Sequence, residues 1–151
     1  MTIPSDSASS IMTGDQILEV QAQFGTPVFV YDQLTLERRA SEALAFPNPY
    51  GLTARYAMKA CPNAAVIRVL TNAGLKIDAS SAFEARRAIV AGVDPSLILL
   101  TAQELAPDFA TLVQEGVRFH ACSLQQLRAF GEAFPGAEAV SYTHLTLPTK
   151  A

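Results

Sequence analysis

Residues 74–92 read GLKIDASSAFEARRAIVAG, and this stretch decides the fold. The apolar-rich run Leu75–Ala79 has strand composition. From Ser81 to Ala91, apolar residues recur at three- and four-residue spacings, the period of a helix with one buried face. Ser81 is a cap residue, and Glu84, three positions on, closes a capping box with it. Gly74 and Gly92 bracket the unit, each just after a helix and just before the next strand.

Outward from this unit the pattern repeats. Further short runs are Leu52–Ala57, Leu97–Thr101 and Val117–Ala121. Helical stretches follow at Asn63–Ala73, Ala106–Glu115 and Ser123–Phe134, with Gly116 again between a helix and a strand. Strand–helix repetition at this period predicts βα units on a parallel sheet. Four similar units, with no Gly-x-Gly-x-x-Gly loop after the first strand, favour the first half of a (β/α)8 barrel over a dinucleotide-binding half. A full barrel needs about 250 residues, so the reading is an α/β, truncated barrel.

The units occupy residues 50–139. Before them, residues 12–49 are expected to hold a helix from Thr13 (capped by Thr13 with Gln16, and ended at Gly25), a strand Pro27–Tyr31 and a helix over 32–45 begun by Asp32. Residues 1–11, rich in Ser, read as a disordered leader. Residues 140–151 stand where a fifth strand should begin and have edge-strand composition. The run VSYTHLTLPT also resembles one frame of a transposon-end sequencing adapter. On that resemblance the tail is expected to be non-native, with native sequence ending near Ala139.

The 151 residues are 50% hydrophobic and carry a formal net charge of -3. No basic field gathers phosphates, which argues against nucleic-acid binding. No apolar run reaches the roughly 18 residues of a membrane span. The N-terminus has no signal-peptide pattern, and a cytoplasmic location is expected. Cys61 and Cys122 make neither a disulfide framework nor a metal site.

Chemistry in a barrel collects at the C-terminal ends of the strands. Lys59 stands there on the first strand, flanked by apolar residues. Partial desolvation of such a lysine favours the neutral amine that attacks a carbonyl. A solvated strand-end lysine is the plain alternative. Asp78 ends the second strand and Glu84 opens the following helix, both toward the same mouth. His120 ends the fourth strand, where packing alone also accounts for a histidine. Cys122, beside a helix N-terminus, is placed for a lowered pKa but shows no sequence partner. Cys61 reads as a small apolar filler.

Three segments resemble the diaminopimelate decarboxylase family of the alanine-racemase-like, pyridoxal 5'-phosphate-dependent class. Gly25-Thr26-Pro27-Val28-Phe29-Val30-Tyr31-Asp32 is similar to its opening motif. Tyr56-Ala57-Met58-Lys59-Ala60 is similar to its cofactor-lysine segment, and Asp78-Ala79-Ser80-Ser81 with Glu84 to its second-strand motif. Cys61 departs from the polar residue usual after Lys-Ala. The resemblance covers roughly residues 14–139. It implies Lys59 as the catalytic lysine that binds pyridoxal phosphate, with Asp78 and Glu84 as cofactor-supporting residues and no metal. It implies an amino-acid substrate, most readily meso-diaminopimelate decarboxylated to lysine, and a homodimeric parent. Ornithine, arginine or carboxynorspermidine decarboxylation, or a non-catalytic cofactor-binding barrel, are the alternatives. In this family the strand 28–31 joins a C-terminal β domain. The glycine-rich phosphate loop and the pyridine- and substrate-binding residues come later than residue 139. The chain by itself is therefore expected to lack the C-terminal β domain, to bind cofactor poorly and to be inactive.

Overall fold

The computed structural model describes residues 11–141. The chain forms two compact units, residues 1–32 and 33–151. In the first, helix α1 spans Gly14–Phe24. The Thr13 hydroxyl accepts from the Gln16 backbone N–H, the Gln16 side chain accepts from the Thr13 N–H, and Gly25 closes the helix at φ 76°. These are the caps the local sequence predicts. The expected strand Pro27–Tyr31 does not form. A strand exists only by pairing, and the five strands of the sheet pair only with one another. Val28, Phe29, Val30 and Tyr31 are left exposed.

The second unit holds α2 (Gln33–Leu44) and then the repeat: β1 (Arg55–Ala57), α3 (Ala64–Asn72), β2 (Lys76–Ala79), α4 (Ala82–Val90), β3 (Ile98–Leu100), α5 (Phe109–Gln114), β4 (Arg118–Ala121), α6 (Leu124–Ala133) and β5 (Val140–Ser141). All neighbouring strands are parallel, in the order β1-β2-β3-β4-β5. A dinucleotide-binding sheet reverses its strand order at a switch point. This order never reverses, so the sheet is wound in the manner of a barrel. Val140 pairs with His120 and Ser141 with Ala121. The rest of the tail, 142–151, and residues 1–10 of the expected leader lie outside the described residues.

Two boundaries differ from expectation for local reasons. Helix α5 starts at Phe109 rather than at Ala106. Pro107 disfavours helical backbone at Ala106, and Ala106–Phe109 form a turn in which the Phe109 N–H donates to the Ala106 carbonyl. Met58–Ala60 and Pro95–Leu97 form single 3-10 turns absent from the periodicity reading.

One face of the sheet packs on the helices. Ile77, Ala79, Ile98, Leu100, Phe119 and Ala121 meet Ile67, Ala85, Ala88, Leu112 and Phe130 in one core. Phe119 stacks on Phe130 at 5.6 Å between ring centroids, and Phe109 lies 5.3 Å from Phe119. A smaller cluster of Ala40, Val66, Leu70 and Leu75 seats α2 on α3. Each fully buried Ile, Leu or Phe contributes about 1.5–3 kcal/mol. Exposed pairs such as Arg38–Glu42 are screened and side-chain-entropy limited. Apolar burial therefore holds this unit.

Helices α3, α4 and α5 end alike. The N–H of Leu75, Val93 and Val117 donates back to Leu70, Ala88 and Leu112, over a glycine with φ of 93–104°. Each of those three apolar residues is buried, so the cap also aims the chain into the next strand. At Gly74 a Cβ would meet Leu44 Cδ1 at 3.2 Å besides adopting φ 103°. The Gly74→Ala variant is expected to lose about 1–2 kcal/mol. Gly131, inside α6 with open space around it, is expected to gain about 0.5–1 kcal/mol on Gly131→Ala. Urea denaturation read by circular dichroism checks both as opposite shifts in midpoint at constant slope.

Candidate active site

The C-terminal ends of β1–β4 and the turns after them line a cavity of about 1280 Å³. Lys59, Asp78, Thr101, His120 and Cys122, one or more from each strand end, face it. The structure thus brings Lys59 and Asp78 together, and adds His120 and Cys122.

Lys59 is set by its neighbours in the 3-10 turn. Met58 is fully buried in the core, and Lys59 is exposed at the cavity. Its exposure matches the plain reading of a solvated strand-end lysine. The segment behind it is held at three points. The Tyr56 hydroxyl donates to the Cys61 carbonyl at 3.2 Å, Arg87 Nε donates to the Pro62 carbonyl at 2.8 Å, and Asn63 Oδ1 caps α3 by accepting from the Ala65 N–H at 2.9 Å. Burial raises the Tyr56 pKa, as does the nearby Cys61, so the hydroxyl stays a donor. Cys61 packs against the smaller apolar cluster, in keeping with a filler.

Asp78 projects from β2 and accepts a short hydrogen bond from the Thr101 hydroxyl at the end of β3. The Thr101 N–H also donates to the Ala79 carbonyl at 2.8 Å, so the ladder itself presents Thr101 to Asp78. Glu84 is placed differently. It is not among the residues lining the cavity. Its carboxylate accepts from the Ser80 N–H at 2.7 Å, while its own N–H donates to Ser81 Oγ at 3.2 Å. The capping box forms with Ser80 as the backbone donor, not Ser81, and fixes a turn whose two serines border the cavity.

For Cys122 the direction of the expected shift is reversed. Burial first, and then the negative charge of Asp78, push its pKa up. The thiol donates to the His120 carbonyl at 3.6 Å. The helix N-terminus next to it is outweighed.

Sequence reading missed Thr101, Arg87 and Gln126. Gln126 is 2% exposed and forms part of the Ser123-x-x-Gln126 cap of α6. That pattern is the same Ser-x-x-Glu/Gln signal that identified Ser81 and Glu84. Thr101 and Arg87 act through partners more than twenty residues away, which no local pattern reports.

The fold is part of a parallel α/β barrel with a cavity at the C-terminal ends of its strands. Residues 35–140 match the family described as "Pyridoxal-dependent decarboxylase, pyridoxal binding domain", and the chain belongs to that family. It is 31% identical to diaminopimelate decarboxylase of Escherichia coli K12 over 137 residues, 86% of this chain and 31% of the relative. It is also 31% identical to the same enzyme of Methanothermobacter thermautotrophicus over 141 residues, 91% of this chain and 33% of the relative. The chain thus spans about a third of the length of the curated relatives it matches. A crystal structure of diaminopimelate decarboxylase superposes with a TM-score of 0.72 at 31% identity, over 87% of this chain and 31% of that one. The lysine/ornithine decarboxylase of Vibrio vulnificus, complexed with putrescine, superposes at 0.71 with 25% identity, over 84% and 35%. Among the described residues no helix is long and apolar enough to cross a membrane.

Removing the Asp78 charge relieves the second cause of the raised Cys122 pKa and leaves the first. Asp78→Asn is therefore expected to speed iodoacetamide alkylation of Cys122 severalfold near pH 8, because more of the thiol is then thiolate. Peptide mapping with Cys61 as internal reference checks it. An unchanged rate at Cys122 contradicts the placement of Asp78 beside the thiol.

Proposed function

We propose that this protein serves the pyridoxal phosphate-dependent decarboxylation of an amino acid, with meso-diaminopimelate as the substrate and Lys59 as the lysine that binds the cofactor. The observation that carries the reading is the exposed amine of Lys59 at the rim of a cavity walled by Asp78 and Thr101. The residues fit the group. A cavity of about 1280 Å³ has room for a substituted pyridine and its phosphate, and an accessible lysine amine can condense with an aldehyde. When bound, the cofactor supplies an electron sink for the pair left behind as carbon dioxide departs.

The chain's own groups then have separate tasks. Lys59 is the attachment point, and it must give up a proton before its nitrogen can attack a carbonyl carbon. Asp78, steadied by Thr101, places a carboxylate on the same rim, where it would stabilise positive charge on a bound cofactor. Glu84 supports the site through the Ser80–Ser81 turn. His120 and Cys122 form the far wall, with the thiol kept protonated. Diaminopimelate is favoured over ornithine or lysine as substrate by the identities, 31% against 25%. The same reading carries a homodimer in the cytoplasm.

Incubation with pyridoxal phosphate, borohydride reduction and peptide mapping test the assignment. Selective labelling of Lys59 over Lys76 and Lys150 is expected. Equal labelling of all three overturns it. Asp78→Asn is expected to weaken labelling of Lys59 by about tenfold, the loss of one charge-assisted contact.

A further inference from the structure

The turns after β2 and β4 are built on one plan. Ser81 and Ser123 cap their helices with nearly the same backbone, φ -157°, ψ 161° and φ -151°, ψ 161°. Glu84 accepts from the N–H of Ser80, and Gln126 Oε1 accepts from the N–H of Cys122 at 2.6 Å. Ser80 and Cys122 both border the cavity. The plan then diverges. Gln126 also donates from Nε2 to the Ala102 carbonyl at 2.9 Å and to the Gln103 carbonyl at 3.0 Å.

These three bonds need an amide. The carboxamide offers an acceptor and two donors on one planar group, and all are used. A carboxylate at this position would keep the Cys122 bond but set its second oxygen against two carbonyl oxygens. Gln126 is buried, so its loss leaves the buried Ala102 carbonyl without this donor and unties the Gln103 carbonyl and the Cys122 N–H. Ala102 and Gln103 directly follow Thr101, whose hydroxyl holds Asp78. The bonds therefore run from α6 across the turn after β4 to the turn after β3, and on to the carboxylate of the lysine rim.

We infer that Gln126 is a positioning residue of this site: it locks the Ala102–Gln103 and Cys122 turns together and so holds Thr101 and Asp78 in the arrangement that makes Lys59 selectively reactive toward a pyridoxal aldehyde. The inference rests on the Lys59 reading above.

The full chain and the variants Gln126→Leu and Gln126→Glu test it, with two measurements. Amide hydrogen exchange at 101–103 and at Cys122 is followed without cofactor. The ratio of Lys59 to Lys76 labelling by pyridoxal phosphate and borohydride is then taken, each variant against the unsubstituted chain at the same pH. That comparison cancels the titration of Lys59, Asp78, Glu104, His120 and Cys122, which line the same cavity. Gln126→Leu is expected to speed exchange at both turns and to lower the ratio about tenfold at every pH. Gln126→Glu is expected to do the same near neutral pH. It should recover as pH falls through the raised pKa of the new buried carboxyl, because its protonated form again has one donor and one acceptor. If Gln126→Leu does not fold, the pH-dependent recovery in Gln126→Glu decides alone. Faster exchange with an unchanged ratio overturns the inference and leaves a structural tie. Unchanged exchange, or a Gln126→Glu variant indifferent to pH, overturns it as well. Equal labelling of Lys59 and Lys76 in the unsubstituted chain fells the Lys59 reading itself, and the inference with it. A selective unsubstituted chain beside an equally selective Gln126→Leu fells the inference only.

Discussion

The alternation of side chains along three short strands is the constraint on which the rest depends. In β2, Ile77 and Ala79 are fully buried, and Lys76 and Asp78 between them are only half-buried. In β4, Phe119 and Ala121 are buried, and Arg118 and His120 are not. The buried set meets the helices. The other set includes Asp78 and His120, which line the cavity. Because successive residues point to opposite faces, a slip of one residue would send Asp78 into the helix core and Ile77 toward the cavity. The cost of burying an unpaired carboxylate there makes the register strongly specified. Packing on one face thus fixes where the charges sit on the other.

The two ends of the strands divide the work. At the N-terminal end the Arg55 guanidinium donates to the carbonyls of Ile77 and Leu97, at 3.2 and 3.1 Å, and so spans three strands from below. Burial and the like charge of Arg118 lower its pKa, while Asp78 acts in the opposite sense. The guanidinium stays charged throughout the ordinary range in any case. At the C-terminal end the bonds are shorter in reach and more numerous. They tie helices to the strand ends and turns: the N–H groups of Ser80 and Cys122 donate to Glu84 and Gln126 in the first turns of α4 and α6, and Arg87, from the last turn of α4, donates to the Pro62 carbonyl. A strand end has ladder N–H groups with no further strand residue to receive them. Side chains from the first turn of the next helix meet that need, and the site is assembled from the result.

What was legible in the sequence is what local chemistry decides. Thr13 with Gln16, Ser81 with Glu84, and the glycines after α3, α4 and α5 act within one turn of themselves, and their elements stand where the residues place them. The parallel, barrel-like winding was legible because four units repeat one period. What failed was non-local. Val28–Tyr31 has strand composition, but pairing is not a property of a segment by itself. Lys59 and Asp78 were picked out because their strand-end positions carry the information, and both line the cavity. Thr101 and Arg87 were not, since each acts on a partner brought near only by the fold; Gln126 carried a local cap signal, but its bonds to Ala102 and Gln103 could not be read from it. Glu84 lay between these cases: its cap was legible, and its carboxylate proved turned to the Ser80 backbone rather than to the cavity.

The cavity also sorts its own nucleophiles. A lysine amine and a cysteine thiol both line it, and either type can attack a carbonyl carbon. The thiol acts only as thiolate. Burial and the Asp78 carboxylate both oppose that form at Cys122, and the thiol proton is directed to the His120 carbonyl. An anionic neighbour disfavours a group that must become negative to react. One carboxylate, held by Thr101, therefore works with burial to keep Cys122 in its unreactive thiol form, which argues against that side chain as a point of covalent attachment.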